Sequence, residues 1–477
     1  MFRKNLSIYL VILVLVVILA TIYSVKSYSV KSAPPDFVQL PEVSGVVRFP
    51  RITPPGRDDL APEGPDSNIS SNKTPQNETS VAVHPNNPNF VVAAAHDYRN
   101  GDATCAFYKS LDAGATWSFK LLDRLGYSTS GDPAIAMDKN GVIYQSCLHF
   151  NRGGNVENAI VVHTSSDGGL TFSSQIIASS NNGSYLFGGG TFHDKEYIAV
   201  DEDTGAVYVS WTRFGSGRSD ILLSYKSAGS GTFSEPMVVS DGPVNQGSIP
   251  VLRKDPLTGQ KAIYIAWISF SPTTEIRIDS APVDFSTGAV TGFFGFDKVV
   301  SPIARIPSKF TGQDFRTNSD PSLAADKLTG NLYLVWAEDP PGADEADVVL
   351  SRSTDAGENW SAHLRINDDT TTRDQFFPRI ATNPNGGIHV VWYDKRNDAR
   401  DLAFHAYYAK SNSGGLSFLP NIRISDNPSK PSKGDAFGGR FIGDYIGIAA
   451  SSISAHPVFM GYNRNDQEIY AERVLSE

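Results

Sequence analysis

A nine-residue pattern occurs three times along the chain and constrains its fold more than any other feature. It reads SLDAGATWS at Ser110–Ser118, SSDGGLTFS at Ser165–Ser173 and STDAGENWS at Ser353–Ser361. Ser and Asp side chains close tight turns by bonding to nearby backbone groups, and Gly permits a positive φ. The pattern therefore predicts a hairpin turn that is locked by side chains, with the aromatic residue packing back onto the sheet. It contains no group suited to catalysis.

Pairs of short strands are spaced along the same region. Seven segments each contain a short apolar run, a turn rich in Asn, Asp, Gly or Pro, and an alternating strand. This alternation predicts β-hairpins. Two further copies of the pattern have lost the Asp, at Ser227–Ser234 and Ser411–Phe418. The copies recur at about 55 to 70 residues, the length of one four-stranded propeller blade with its loops. The second strands of four pairs end in Trp211, Trp267, Trp336 and Trp392.

These motifs resemble the Asp-box, or BNR, repeat of sialidase-like β-propellers. The resemblance runs from Asn77 to the C-terminus, and GRFIGDYIGIAAS at Gly439–Ser451 is similar to a stretch common in such propellers. It implies an all-β fold, and the seven strand pairs predict seven four-stranded antiparallel blades over residues 77–477. Six blades, the sialidase number, is the alternative. The last blade has three strands of its own, and an uncovered sheet edge is a liability. GVVRFP at residues 45–50 is predicted to supply its outer strand and close the ring.

The N-terminal segment has a different composition. Arg3 and Lys4 precede an uncharged, mostly apolar run of eighteen residues from Leu6 to Tyr23. About twenty apolar residues span a bilayer. Residues 1–25 are therefore predicted to form a transmembrane signal-anchor helix, with a cleaved signal peptide as the alternative. Residues 26–76, rich in Pro and Ser, are predicted to form a stalk. The propeller is expected outside the cytoplasm, held by a single-pass anchor in the cell membrane, or secreted if the signal is cleaved.

Composition excludes some partners. The chain has 41 Lys and Arg against 51 Asp and Glu, without a basic block, which argues against nucleic acid. Cys105 and Cys147 are the only cysteines; they form no Cys-based zinc site and leave one disulfide open. No cofactor or metal is predicted. The acidic run at residues 338–347 is interpreted as a solvated loop, with a calcium site as the alternative. A monomer is expected, with a glycan or glycoconjugate, an envelope protein and the membrane as partners.

Candidate functional residues lie where the segments between blades enter each first strand, around the propeller axis. Crowded carboxylates there raise one another's pKa values and suit acid–base chemistry or cation binding. The resemblance implies a glycosidase that holds a sugar carboxylate with three arginines, attacks with a tyrosine and protonates with an aspartate. The acids at these entries include Glu78 and Asp132. The candidate catalytic residues are Asp97, Arg99, Asp194, Glu196, Asp320, Arg440, Asp444 and Tyr445.

Two main functions remain open from the sequence, with a lyase or peptidase-like propeller as a third class. The Arg-Ile-Pro motif of sialidases is missing from the first blade, which reads NETSVAV; PRITPP, its nearest counterpart, lies in the stalk. Asp97 with Arg99 and Asp394 with Arg396 occupy equivalent places in two blades, which is typical of ion pairs that fix loops. The chain is thus either a sialidase-like glycoside hydrolase acting on surface glycans or a non-catalytic propeller that binds glycan or protein at the cell envelope. Three guanidinium groups converging on the axis would favour the enzyme, and arginines pairing with Asp blade by blade would favour the scaffold.

Overall fold

The structure is a computed structural model that describes residues 47–48, 66–152, 157–180, 190–215, 217–292 and 294–475. Strands and turns make up these ranges. Within them no helix is long and apolar enough to cross a membrane. The predicted anchor at residues 1–25, and the predicted stalk apart from residues 47–48 and 66–76, lie outside the described residues.

The described strands group into successive antiparallel sheets. Two short strands, β1 (Val47–Arg48) and β2 (Ser67–Asn68), precede the first blade along the chain. Blade 1 contains β3 (Gln76–His84), β4 (Asn87–Asp97), β5 (Thr104–Ser110) and β6 (Thr116–Leu121). Blade 2 contains β7 (Thr129–Met137), β8 (Ile143–Phe150), β9 (Asn158–Ser165) and β10 (Ser173–Ser180). Blade 3 contains β11 (Thr191–Val200), β12 (Val207–Gly215), β13 (Arg218–Lys226) and β14 (Met237–Val238).

The same order continues to the C-terminus. Blade 4 contains β15 (Asn245–Lys254), β16 (Lys261–Ser269), β17 (Glu275–Val283) and β18 (Lys298–Pro302). Blade 5 contains β19 (Ser322–Ala325), β20 (Leu332–Glu338), β21 (Asp347–Ser353) and β22 (Leu364–Arg365). Blade 6 contains β23 (Gln375–Thr382), β24 (Ile388–Asp394), β25 (His405–Ser411) and β26 (Ile422–Arg423). Blade 7 contains β27 (Gly447–Ala450), β28 (Ser454–Asn463), β29 (Asp466–Ala471) and β30 (Val474–Leu475).

Seven sheets arranged in this order form a seven-bladed β-propeller, which confirms the predicted blade count over the six-bladed alternative. Hydrophobic side chains of adjacent blades pack against one another, so the core lies between the blades. The four tryptophans lie within their second strands, two or more residues before the strand ends, and are fully buried between blades. Each indole N–H has a polar acceptor; that of Trp267, for example, donates to Asn245 Oδ1 at 3.0 Å.

The ring closes through β2, not through residues 45–50. β2 pairs with β29 in the register Ser67↔Ala471, and Ile69 N–H then donates to Ile469 O at 2.9 Å. Residues 47–48 instead pair with β6 as a fifth strand of blade 1. The prediction for residues 45–50 is therefore corrected. The segment that contains β2 lies between residues 47–48 and β3 and runs along the open edge of blade 7. It occupies that edge, so residues 47–48 are not needed to close the ring.

The boxes have the predicted local structure. In the third box, Ser353 Oγ accepts the Gly357 N–H at 2.8 Å and donates to Asp355 Oδ1 at 2.8 Å. Asp355 in turn accepts the Asn359 backbone N–H at 2.9 Å. Hydrogen bonding from the Asn359 side chain and backbone lowers the pKa of Asp355 to about 2. The copy at Ser411–Phe418 keeps this geometry although it has lost the Asp. Ser413 Oγ accepts the Ser417 backbone N–H there, as the Asp carboxylate does in the intact boxes.

The two cysteines are joined. A disulfide between Cys105 on β5 and Cys147 on β8 links blade 1 to blade 2. The sequence left this pairing open because the two residues belong to different repeats. The box turns follow the third strand of a blade, so they lie on the face opposite the segments that enter the first strands.

Candidate functional site

The inner strands share a bulge at the point where each enters its sheet. In five blades the register with the second strand shifts there, for example between Asn77 and Ser80 in blade 1. A β-bulge bends the strand and redirects a side chain. A residue inside each bulge has a positive φ, which is uncommon outside glycine and clusters at functional sites. These residues are Glu78 (55°), Asp132 (52°), Lys195 (55°), Gly247 (68°) and Phe377 (54°).

The bulges bring charged side chains of several blades together on the axis. We call this group the axial cluster. It contains Glu78, His96, Asp132, Asp194, Lys195, Glu196, Arg316, Asp320 and Asp444. Asp132, Asp194, Lys195, Arg316 and Asp320 keep partial exposure, whereas the remaining members are buried.

Asp444 is the centre of an ion network that crosses the axis. Arg316 binds both of its carboxylate oxygens, with Nε–Oδ1 and Nη2–Oδ2 distances of 2.6 Å. Lys195 Nζ lies 2.6 Å from Oδ2. Burial acts to raise the pKa of Asp444, but the charges of Arg316 and Lys195 outweigh it, and the pKa lies below its usual range. The network ties blades 3 and 7 to the segment that enters blade 5.

His96 lies between two carboxylates. Its Nε2 is 3.2 Å from Glu78 Oε2 and 3.3 Å from Asp132 Oδ1. Its Nδ1 donates to Asn77 Oδ1 at 3.1 Å, and Asn77 Nδ2 donates to Gln467 Oε1 at 2.8 Å, which fixes the ring. Burial raises the pKa of Glu78 to about 8.

Glu78, His96 and Asp132 offer three ligand atoms close together, but the arrangement does not fit a metal ion. The backbone nitrogen of Asp132 lies 2.5 Å from His96 Nε2. This backbone group fills the space beside Nε2 that a metal ion bound there would need. A metal at this nitrogen would require the bulge in blade 2 to move.

Asp132 and Asp194 form a carboxyl pair. Each of the two side chains is among the causes of the other's pKa shift, so the two carboxyl groups interact directly. Burial, reinforced by the charge of Asp132, raises the pKa of Asp194 well above its usual range. Burial acts in the same direction on Asp132, but its hydrogen bond to His96 and the charges of His96 and Lys195 outweigh it and lower its pKa. The opposite pKa shifts favour the proton of the pair on Asp194 and the charge on Asp132.

Two further carboxyl groups are held in unusual surroundings. Neither oxygen of Glu196 has a hydrogen-bond partner among the described residues, and burial raises its pKa well above the usual range. Asp320 lies against Gly247, where an added Cβ would come within 2.6 Å of the carboxyl carbon. Burial also raises the pKa of Asp320, against the charge of Lys195. Gly247 is therefore required chiefly for the space that Asp320 occupies, since residues with a side chain hold a similar φ in the other four bulges.

Tyr445 lies beneath the axial cluster, in a layer with Tyr197 and Arg379. Its hydroxyl donates to Pro133 O at 3.3 Å. The Arg379 guanidinium lies 4.5 Å from the ring centre of Tyr197 and 5.2 Å from that of Tyr445. Burial, together with the charges of Glu78 and Asp132, raises the pKa of Tyr445 well above its usual value. These surroundings disfavour the phenolate that a tyrosine nucleophile requires.

Four of the eight candidate residues therefore meet in the axial cluster, and Tyr445 lies beneath them. Asp97 and Arg99 instead bind each other, with Nη2–Oδ2 at 2.7 Å, while Arg99 stacks on Phe119. Arg440 is exposed and donates to the Phe437 carbonyl group at 3.4 Å. The four candidates within the cluster are Asp194, Glu196, Asp320 and Asp444.

Sequence reasoning missed most of the basic residues in this region. Lys195 stands between two acids that were selected, and its position next to them was the available signal. His96 was not among the candidates, because a single histidine at a strand end has no distinctive pattern. Arg316 and Arg379 had no signal, since they reach the axis from loops and strands far away in the sequence.

Arginines pair with acids within individual blades in several places. Arg396 binds Asp394 in blade 6 as Arg99 binds Asp97 in blade 1, with Nη2–Oδ2 at 2.8 Å. At the axis the described residues supply two guanidinium groups, from Arg316 and Arg379. Three converging guanidinium groups, as the sialidase resemblance implies, do not occur in the described ranges.

The sequence matches no protein-family model and no curated protein. Solved structures with a similar fold include a protein of unknown function from Dyadobacter fermentans, at 13% identity and a TM-score of 0.47, covering 87% of this chain and 98% of that one. An intramolecular trans-sialidase from Ruminococcus gnavus has 12% identity and a TM-score of 0.40, covering 86% and 97%. An ulvan lyase has 12% identity and a TM-score of 0.45, covering 88% and 95%.

These neighbours are similar to the chain in fold, and sialidases are among them. The predicted β-propeller itself is confirmed by the seven sheets of this chain. At such low identity the neighbours assign no activity to this chain.

Proposed function

We propose that this protein is a glycan-acting propeller of the glycoside hydrolase type, with the axial cluster as its acid–base centre. The carboxyl pair of Asp132 and Asp194 is the observation that supports this most directly. The pair is half-buried, and opposite pKa shifts provide a proton donor and a proton acceptor side by side. Acid–base catalysis of glycoside cleavage requires both groups.

In the proposed reaction, Asp194 transfers its proton to the glycosidic oxygen as the bond from that oxygen to the anomeric carbon breaks. After the leaving sugar departs, a water molecule takes its place on the same face of the ring, because two carboxyl groups in contact lie on one face. The water oxygen bonds to the anomeric carbon, and Asp132 accepts the water proton. Lys195 and Arg316, with side-chain exposures of 12% and 26%, supply positive charge toward acidic substituents of the glycan. Asp444 holds both cations in place and acts as a positioning residue.

The test is a glycan array probed with the full chain and scored for both binding and release of sugar. Asp194→Asn and Asp132→Asn are expected to lower release by at least 100-fold, the usual contribution of a general acid or base. Asp203→Asn is the matched control, because this carboxylate is 54% exposed near the opposite end of the inner strands. Unchanged release in both pair variants would remove the pair from the mechanism.

A second candidate function is a non-catalytic propeller that binds glycan or envelope protein. It is supported by Arg99 and Arg396, whose guanidinium groups are bound to the Asp residues of their own blades. It predicts binding on the same array without release of sugar by the wild-type chain.

We also propose that the propeller lies outside the cytoplasm as a monomer, anchored to the cell membrane by residues 1–25. The apolar run from Leu6 to Tyr23 supports the anchor. The disulfide between Cys105 and Cys147 supports an oxidising compartment. Fractionation of cells, with protease added from outside, tests the location. Recovery of the full chain in the soluble cytoplasmic fraction would contradict it.

A further inference from the structure

Lys395 is fully buried in blade 6, in contact with a buried aspartate. It directly follows β24, and Asp374 directly precedes β23; the register Gln375↔Asp394 makes the two residues the next cross-strand pair. The Lys395 backbone N–H donates to Asp374 O at 3.1 Å. Lys395 Nζ lies 2.5 Å from Asp374 Oδ2, and the two side chains are 0% and 1% exposed. An amine and a carboxyl group are therefore held together away from water.

Aromatic rings surround this amine. Lys395 Nζ lies 4.0 Å from the ring centre of Phe310 and 5.9 Å from the ring centres of Phe315 and Phe376. All three phenylalanines are buried. Burial disfavours the ionised amine and lowers the pKa of Lys395, against the attraction of Asp374. The neutral amine is the nucleophilic form, and removal from water in an apolar pocket is one way in which proteins activate a lysine.

A second carboxyl group, that of Asp401, lies beside the pair. Its Oδ2 is 4.0 Å from Lys395 Nζ. Its Oδ1 is buried and has no hydrogen-bond partner among the described residues. Burial, together with the charge of Asp374, raises the pKa of Asp401 to about 7, against the charge of Lys395. A carboxyl group with such a pKa can both donate and accept a proton at neutral pH.

The pair of Lys261 and Asp201 provides a comparison within the same chain. Its Nζ–Oδ2 distance is 2.6 Å and its side chains are 2% and 3% exposed, close to the values in blade 6. The second carboxylate near this amine, that of Asp203, is 54% exposed at 3.7 Å from Nζ. Burial acts to raise the pKa of Asp203, but the charges of neighbouring lysines outweigh it and lower the pKa. Asp203 therefore has no proton to donate at neutral pH.

We propose that Lys395 and Asp374 become joined by a side-chain amide bond, with Asp401 as the group that transfers protons. The ammonium proton of Lys395 passes first to Asp374, which leaves both groups neutral. Lys395 Nζ then bonds to Cγ of Asp374. Asp401 donates its proton to the hydroxyl group on Cγ, which leaves as water, and accepts a proton from the nitrogen. One water molecule is released, and no other reactant is consumed.

The fold favours this condensation in two ways. Cross-strand pairing holds the nitrogen against the carboxyl group, which replaces a bimolecular encounter by an intramolecular one. The buried surroundings favour the two neutral reactants over the ion pair, because burial of charge is costly. The bond fixes the start of β23 to the end of β24. It is independent of the proposed catalytic function, since none of the three residues belongs to the axial cluster.

Peptide mass spectrometry of the full chain tests the proposal, with folded protein denatured and digested by trypsin. Trypsin does not cleave after a lysine whose amine is acylated. The linked chain is expected to yield residues 374–379 joined to residues 380–396, about 18 Da lighter than the two peptides together because water is lost. Residues 255–261, which end at Lys261, are expected as a free peptide. Recovery of residues 374–379 and 380–395 only as free peptides would overturn the proposal.

Asp401→Asn tests the proton transfer, because it keeps the size of the side chain and removes its proton. The linked peptide is expected to form at least 100-fold more slowly in this variant. Asp203→Asn is the matched control and is expected to form the link at the wild-type rate. Formation of the link at the wild-type rate in Asp401→Asn would overturn the role of Asp401. If that variant does not fold, the peptides of the wild-type chain decide whether the bond exists.

Discussion

Ring closure provides the most direct quantitative test of the fold. Ile69 is 3% exposed and packs into the core that joins blades 1 and 7, directly after the two-residue strand β2. Ile69→Ala removes buried carbons from a site that the surrounding blades hold rigid. Substitutions of this type cost about 2 to 5 kcal/mol, and about 3 kcal/mol is expected here. We call the contact between blades 1 and 7, which β2 completes, the seam. Because β2 is so short, we expect the loss of free energy to appear mainly as easier opening of this seam.

Amide hydrogen exchange measures this effect at the seam itself. The Ile469 N–H donates to Ser70 Oγ at 3.0 Å and is protected only while the seam is closed. A loss of about 3 kcal/mol in local stability speeds its exchange on the order of 100-fold. Leu257→Ala, at a position that is 94% exposed, is the control and should cost less than about 0.5 kcal/mol. Exchange at Ile469 that is equal in the two variants would refute closure through β2.

Three further predictions concern single sites. Burial raises the pKa of Asp66 to about 6 from its ordinary 3.8, so folding favours the protonated form of this side chain. The protonated carboxyl group therefore contributes its full stability below about pH 3.8, and this stability is lost as the pH rises through about 6. Thermal melts from pH 4.5 to 7.5 should therefore show a steeper loss of Tm for the wild type than for Asp66→Asn. Gly247→Ala should lower Tm markedly, through its positive φ and contact with Asp320, whereas Gly231→Ala, with open space around it, should not. Ser353→Ala should cost about 1 to 3 kcal/mol in urea unfolding, because a buried backbone N–H loses its acceptor.

Each of these has a clear contrary result. Parallel pH profiles for wild type and Asp66→Asn would mean that this carboxyl group titrates normally in the folded chain. Equal melting temperatures for the two glycine variants would mean that the bulge in blade 4 tolerates a side chain. An unchanged urea midpoint for Ser353→Ala would mean that the box serine contributes nothing to its turn.

The repeat architecture was predictable because its determinants are local. Each box contains its own hydrogen-bond donors and acceptors within five residues, as Ser353 and Asp355 show, so the turn can be read directly. The hairpins are also marked by strand alternation. β2 was not predictable, since two residues of a strand have no periodicity and its partner β29 lies about four hundred residues away.

The acidic residues of the axial cluster could be predicted from the sequence, whereas its basic residues could not. Acids at the blade entries recur, and the pattern identified them. The partners of Asp444 come from positions 128 and 249 residues away, and only closure of the ring brings Arg316 and Lys195 to it. The bulges were also hidden. A sequence argument expects Gly where φ is positive, whereas Glu78, Asp132 and Phe377 occupy three of these positions.

The course of the chain over β1 and β2 has a mechanical consequence. β1 pairs with blade 1 and β2 completes blade 7, so the N-terminal segment joins the first and last blades of the propeller. Tension applied to the N-terminus, as at an attachment point, would load β1 first and then peel β2 from its neighbour. The propeller would therefore open at the contacts of β1 and β2 before force reaches blades 2 to 6.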